Sequence, residues 1–208
     1  MIIPYDPRWS PQRSARAGRD LAWSWLVLNR LPLPDELYLS REAAGKFLKE
    51  EWLGCHSTKG KRSRIAVAVD ECDFSNRFDT PRGLYVHGPG SFEDHTALGV
   101  LCHEVGHHVD YALNPKAYSR SKVSGFAELI DCEEEVSGEE FNVHESFAEA
   151  IRLFITNPAL LREGRPARWD LLTHQLGLRP LHNVAWREVL AKCPKYVRAA
   201  VEAWLADA

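Results

Sequence analysis

Leu101-Cys102-His103-Glu104-Val105-Gly106-His107-His108-Val109-Asp110 carries the pattern His-Glu-x-x-His inside an amphipathic stretch. Two imidazoles four residues apart on a helix point the same way and can grip one Zn²⁺. The glutamate between them is then placed to act as a base on water at the metal. At about 100° per residue, Leu98, Leu101, Cys102, Val105, Val109 and Ala112 share one face. Thr96, His103, His107, Asp110 and Asn114 share the opposite one. Glu104 sits to one side of this polar stripe, where a base rather than a ligand belongs. Gly106 leaves the backbone bare for close packing.

Outward from this segment, Ser91-Phe-Glu-Asp94 reads as a capping box, so the helix is predicted from there to about Leu113, where Asn114-Pro115 stops it. Before it, a helix over Gln12–Asn29, a short strand at Glu36–Leu39 and a helix over Arg41–Trp52 are expected. Arg64–Val69 and Gly83–His87 read as strands, with a turn-rich stretch at 70–81 between them. After it come an irregular acidic connector (115–140), a helix over about Asn142–Thr156, and short helices with a longer one from Pro194. This order predicts an α+β fold: a small mixed sheet packed on the metal-binding helix, with a helical C-terminal subdomain. We read 1–208 as one domain, an N-terminal lobe over 1–113 and a helical lobe over 114–208.

Catalytic zinc takes three protein ligands and one open position. The longer metzincin motif would need Gly at 110 and His or Asp at 113, where the chain has Asp110 and Leu113. The third ligand therefore comes from elsewhere. The 142–156 helix offers Asn142, Glu145, Glu149, Arg152 and Thr156 along one polar stripe, with Phe147, Ala150, Ile151 and Phe154 on the other side. Glu145 and Glu149 both face one way. Asn142-x-x-Glu145 is also a capping box in its own right, although Ser137-x-x-Glu140 offers an earlier start that would put Glu145 inside the helix.

His103-Glu-Val-Gly-His-His-Val-Asp110 followed by Asn142-Val-His-Glu-Ser-Phe-Ala-Glu-Ala-Ile-Arg-Leu-Phe154 resembles the family of the anthrax lethal factor catalytic domain and the Pro-Pro endopeptidases, which are gluzincins. The resemblance covers roughly residues 83–156. It implies a zincin-like fold and a zinc metallopeptidase in which Glu145 is the third ligand and Glu149 supports a ligand histidine, paired with Arg152. One position departs from the family: where a tyrosine that stabilises the oxyanion is expected, this chain has Gly138. Tyr111, Tyr118, Tyr85, His87 or His174 replaces it, or the role is vacant.

The expected chemistry is hydrolysis of peptide bonds, with His103, His107 and Glu145 on Zn²⁺ and Glu104 as general base. The rivals are a zinc-binding module that recognises peptides without cutting them, and a zinc hydrolase acting on a non-protein amide. Among lesser candidates, Asp110 holds a ligand imidazole or caps a local turn. His108 lies off the stripe, toward solvent or behind the site, and His144 reads as a hydrogen-bonded core histidine. The acidic run Glu128, Asp131, Glu133, Glu134, Glu135, Glu139, Glu140 is a solvated loop or a cleft rim that favours basic substrates. The Tyr85 strand is an ordinary strand or the edge that pairs with an extended peptide.

Bulk composition narrows the partners. Net charge is −3 over 208 residues, 45% of them hydrophobic, so nothing global points to nucleic acid or membrane; with the metallopeptidase resemblance, a protein or peptide substrate and a monomer are expected. Five scattered cysteines without a Cys-x-x-Cys pair argue against a disulfide framework or a thiolate zinc site. The apolar run Leu21–Leu28 is too short for a membrane span and lacks a cleavage site, so a cytoplasmic protein, or one exported without a standard signal peptide, is expected.

Overall fold

The metal-motif helix lies between a small sheet and two other helices in a mixed α+β arrangement. The structure, a computed structural model, describes residues 10–59, 62–72, 76–80, 83–87, 94–113, 126, 133 and 142–181.

Helix α1 (Pro11–Leu28) opens with Ser10 as its cap, the hydroxyl accepting from Arg13 N–H, and with Pro11 in the first turn where no N–H is needed. Strand β1 (Glu36–Tyr38) pairs in parallel with β3 (Arg62–Val67), and β2 (Gly54–Lys59) pairs antiparallel with β3, giving the order β1-β3-β2. A separate hairpin joins β4 (Asn76–Thr80) and β5 (Gly83–His87) in antiparallel register, Phe78 opposite Tyr85. The stretch read as turn-rich thus carries a strand.

The helix expected over Arg41–Trp52 is much shorter. Only α2 (Arg41–Ala44) is α-helical, followed by a 3₁₀ turn at Gly45–Phe47. Gly45 has φ 55°, which ends the helix. The chain then folds back, so that Arg41 donates to the Trp52 carbonyl at 3.0 Å and grips Glu71. This bend lets Phe47 and Leu48 cover Ala66 and Ala68 on one sheet face. The alternate residues Ile65 and Val67 enter the main core on the other.

Helix α3 (Ala97–Leu113) packs against that second face and against α1 and α4 (Val143–Thr156). Leu98, Leu101, Cys102, Val105 and Val109 of α3 are buried with Phe147, Ala150, Ile151 and Phe154 of α4 and with Trp25 and Leu26 of α1. Two short helices, α5 (Pro158–Gly164) and α6 (Pro166–Asp170), and a π-helical turn at Leu171–Gln175 close the described chain. The helix expected from Pro194 lies outside the described residues. Among the described residues, no helix is long and apolar enough to cross a membrane.

Candidate metal centre

The start of α3 differs from the expected capping box. Asp94 Oδ1 accepts from both the N–H and the hydroxyl of Thr96, at 3.1 and 2.6 Å. The Thr96 hydroxyl oxygen in turn accepts from Gly99 N–H at 3.1 Å, so Thr96 is the cap and the helix begins at Ala97. The local Asp94–Thr96 turn competes successfully with a longer helix. Ser91 lies outside the described residues.

Helix α4 begins at Val143. Asn142 is extended (φ −163°), and its side-chain oxygen accepts from the N–H groups of His144 and Glu145. The earlier start read at Ser137-x-x-Glu140 lies outside the described residues. Glu145 occupies the first turn, but its carboxylate reaches out to two imidazoles on α3. Glu145 Oε2 lies 3.0 Å from His103 Nε2 and 3.3 Å from His107 Nε2. The two Nε2 atoms are 3.1 Å apart.

These three atoms form a nearly equilateral triangle. In a tetrahedral zinc site with ligand bonds of about 2.0–2.1 Å, donor atoms sit roughly 3.3 Å from one another. Two imidazole nitrogens and one carboxylate oxygen at this separation fit a divalent ion, and His103, His107 and Glu145 could hold one. The chain's half-buried setting for all three leaves a side open to solvent.

The remaining nitrogen of His103 is committed. Nδ1 donates to Glu149 Oε1 at 2.6 Å, which leaves Nε2 as the lone pair that a metal needs. Burial alone would lower the His103 pKa, but bonds to Glu145 and Glu149 raise it well above the ordinary imidazole value. Burial works against ionised Glu149 too, and the Arg152 guanidinium and His103 nonetheless hold it well below the usual carboxylate range. For Glu145 the same contest is decided by His103 and His107, again in favour of the carboxylate.

Glu104 is buried, with 5% of its surface exposed. It lies against β2, where its carboxylate accepts the backbone N–H of His56. Gly54 makes room for it: a Cβ there would stand 2.5 Å from Glu104 Oε1. Oε2 has no hydrogen-bond partner among the described residues. Burial raises the Glu104 pKa, partly offset by the nearby His107 and His103.

No protein-family model, curated protein or solved structure matches this chain.

The other sequence candidates fall in varied places. Asp110 Oδ2 lies 3.0 Å from His144 Nδ1, so the imidazole it holds is not one of the triad. His144 is hydrogen-bonded as expected, but it is half-exposed rather than a core residue. His108 corrects the expectation most clearly. It is fully packed, with Nε2 on the Pro32 carbonyl at 2.7 Å and Nδ1 on the Ser63 hydroxyl at 2.7 Å. Ser63 also meets His56 Nε2 at 2.9 Å. Cys102 is a packed thiol whose Sγ faces the Gly18 carbonyl.

Glu133, from the acidic run, accepts the N–H groups of Ala167 and Arg168 and so caps α6 instead of lining a cleft. Tyr111 is half-buried, its ring 6.2 Å from that of His56. His174 is largely exposed beside Asp170. Tyr85 and His87 lie on β5, of which only the backbone is described, and Tyr118 and Gly138 lie outside the described residues. Sequence reasoning read Asp94 only as the acid of the Ser91 capping box and did not single out His56. A signal for Asp94 existed in Asp-x-Thr ahead of an apolar run, whereas nothing local marks His56.

Proposed function

We propose that this chain is a zinc-dependent endopeptidase of the gluzincin type, with a zincin-like fold. The observation that carries this reading is the convergence of His103, His107 and Glu145 beside a buried Glu104 whose Oε2 has no hydrogen-bond partner among the described residues. Unpaired buried carboxylate oxygens are costly. One at this position makes sense as the acceptor for a water that enters with substrate.

His103, His107 and Glu145 would hold the ion. A bound Zn²⁺ supplies Lewis acidity, which polarises a carbonyl and makes water easier to deprotonate. Glu104 Oε2 takes a proton from the attacking water and returns it to the leaving amine nitrogen. Its raised pKa suits both halves of that transfer. The His56 N–H keeps the other carboxylate oxygen in place throughout.

The likeness of the two helix motifs to the lethal factor and Pro-Pro endopeptidase family supports a peptide substrate. So does β2, which among the described residues is an edge strand in the order β1-β3-β2. Ala68 N–H bonds the Leu53 carbonyl, and antiparallel alternation then turns the backbone groups of Gly54 and Thr58 and the His56 carbonyl away from β3, while the His56 N–H is held by Glu104. An extended peptide would pair along that edge, beside Glu104. On this reading the substrate strand is β2, in place of the Tyr85 strand that the sequence suggested.

Replacing Glu104 with Gln keeps the shape and removes the base. Cleavage of a peptide library by the zinc-loaded variant is expected to fall by about 10²–10⁴-fold with zinc content unchanged. Cleavage at the wild-type rate would overturn the mechanism. Absence of cleavage by the wild type itself would favour a peptide-binding module without catalysis.

A further inference from the structure

Behind His103 runs a chain of buried charges that the metal triad alone does not need. Arg152 is 1% exposed, and its guanidinium bonds Glu149 through Nε at 3.1 and 2.9 Å and through Nη2 at 2.6 Å. Its Nη1 lies 3.9 Å from Asp94 Oδ2. Asp94 is the residue whose other oxygen sets the Thr96 cap of α3. The path therefore runs from the start of α3, across to α4, and back to the first histidine of the same α3.

We propose that Arg152, anchored by Asp94, is a positioning residue for the metal centre, fixing Glu149 so that His103 presents Nε2 to the ion. The inference rests on the metal-site reading given above. Two degrees of freedom must be fixed for Glu145 to meet both imidazoles: the separation of α3 and α4, and the slide of one along the other. Close packing of Gly106 against the Ala148 backbone of α4 controls separation. The Asp94–Arg152 contact ties a point near one end of α3 to a point two turns along α4, and this controls slide. Orientation of Glu149 is the third requirement. Arg152 donates to both its oxygens, while Oε1 also accepts from His103 Nδ1. A carboxylate held at both oxygens cannot rotate away from the ring, so the proton stays on Nδ1 and the lone pair on Nε2.

A purely structural role would predict lower stability with an unchanged metal site. The test is zinc affinity of the full 208-residue chain, measured by chelator competition, for wild type, Arg152→Met, Arg152→Lys and Asp94→Asn. Arg152→Met is expected to weaken zinc binding by about 10- to 100-fold, the usual scale for residues that orient a ligand. Arg152→Lys restores part of the loss, because an ammonium still opposes Glu149 but cannot bridge both oxygens and Asp94. Asp94→Asn, which retains a side-chain acceptor for Thr96, moves affinity in the same direction and stands in if Arg152→Met does not fold. Leu161→Ala, a core truncation in α5, lowers the melting temperature and leaves zinc affinity as in wild type. Wild-type zinc affinity in the Arg152 and Asp94 variants would overturn the proposal while leaving the metal site intact. A wild-type chain that takes up no zinc would overturn the site and the proposal together.

Discussion

Gly106 and Ala148 meet backbone to backbone where α3 crosses α4. A Cβ added at Gly106 would stand 2.5 Å from Ala148 Cα and 2.7 Å from its carbonyl oxygen. The four residues that build the centre are disposed symmetrically about this crossing. His103 and His107 lie three before and one after Gly106, and Glu145 and Glu149 lie three before and one after Ala148. A helix pair in such close contact at one point brings the side chains three before and one after it on each helix into hydrogen-bond range. That relationship converts two short motifs into one site.

Gly106→Ala therefore acts on the separation of the helices. The obstructing atoms are backbone, so no side chain can rotate aside. Overpacking of this kind costs about 1–3 kcal/mol, read as a lower melting temperature, and zinc affinity falls with it. Ala148→Gly does not rescue the variant, because the Ala148 atoms in the way remain after its methyl is removed.

Gly54→Ala is expected to separate binding from catalysis. The new Cβ would lie 2.5 Å from Glu104 Oε1, 2.9 Å from Glu104 Cγ and 2.8 Å from Val100 Cγ1. These are side chains, so Glu104 shifts and the backbone stays. Zinc affinity remains at the wild-type level while kcat drops by about 10²-fold, the scale of a displaced catalytic group. Equal losses in both would show that β2 braces the whole centre.

Stability against pH should distinguish the metal-free from the zinc-loaded chain. His103 has a raised pKa in the folded metal-free protein, so its contribution is full below about pH 6.5 and fades as pH rises through the raised value. Burial pushes the His56 pKa down to about 3, helped by His108 and His107, and burial lowers His108 also. Their contribution runs the other way: full above about pH 6.5, and lost as pH falls toward the folded value. Metal-free protein is thus expected to be most stable near pH 6.5, by thermal melts across pH. Zinc takes the place of the His103 proton, so the loaded protein keeps its stability on the alkaline side and loses it only on the acid side.

Much of this site was legible because it is periodic. His103, His107, Glu145 and Glu149 sit on helices whose apolar and polar faces repeat at the helical period, and local spacing then fixes which side chains share a direction. The unread parts depend on contacts distant in sequence. His108 looks like a surface residue on a helical wheel, yet Pro32 and Ser63 satisfy both its ring nitrogens from 76 and 45 residues away. Burial of Glu104 depends on a glycine and a backbone N–H of β2. Arg152 and Thr156 form part of a polar stripe that the wheel assigns to the cleft side, but both are buried because charge partners and a back-bond to the Arg152 carbonyl satisfy them. The short α2 illustrates the other limit: a good helical pattern over Arg41–Trp52 yields to a left-handed Gly45 and to the apolar sheet face that Phe47 and Leu48 then cover.

The central claim is that α3 and α4 jointly clasp one divalent ion. Equilibrium zinc titration of the wild type beside Glu145→Ala tests it most directly. One tightly held zinc per chain is expected in the wild type, with a large loss of affinity in the variant, whose fold persists in the metal-free form. Wild-type affinity retained by Glu145→Ala, or no zinc bound by the wild type, would contradict it.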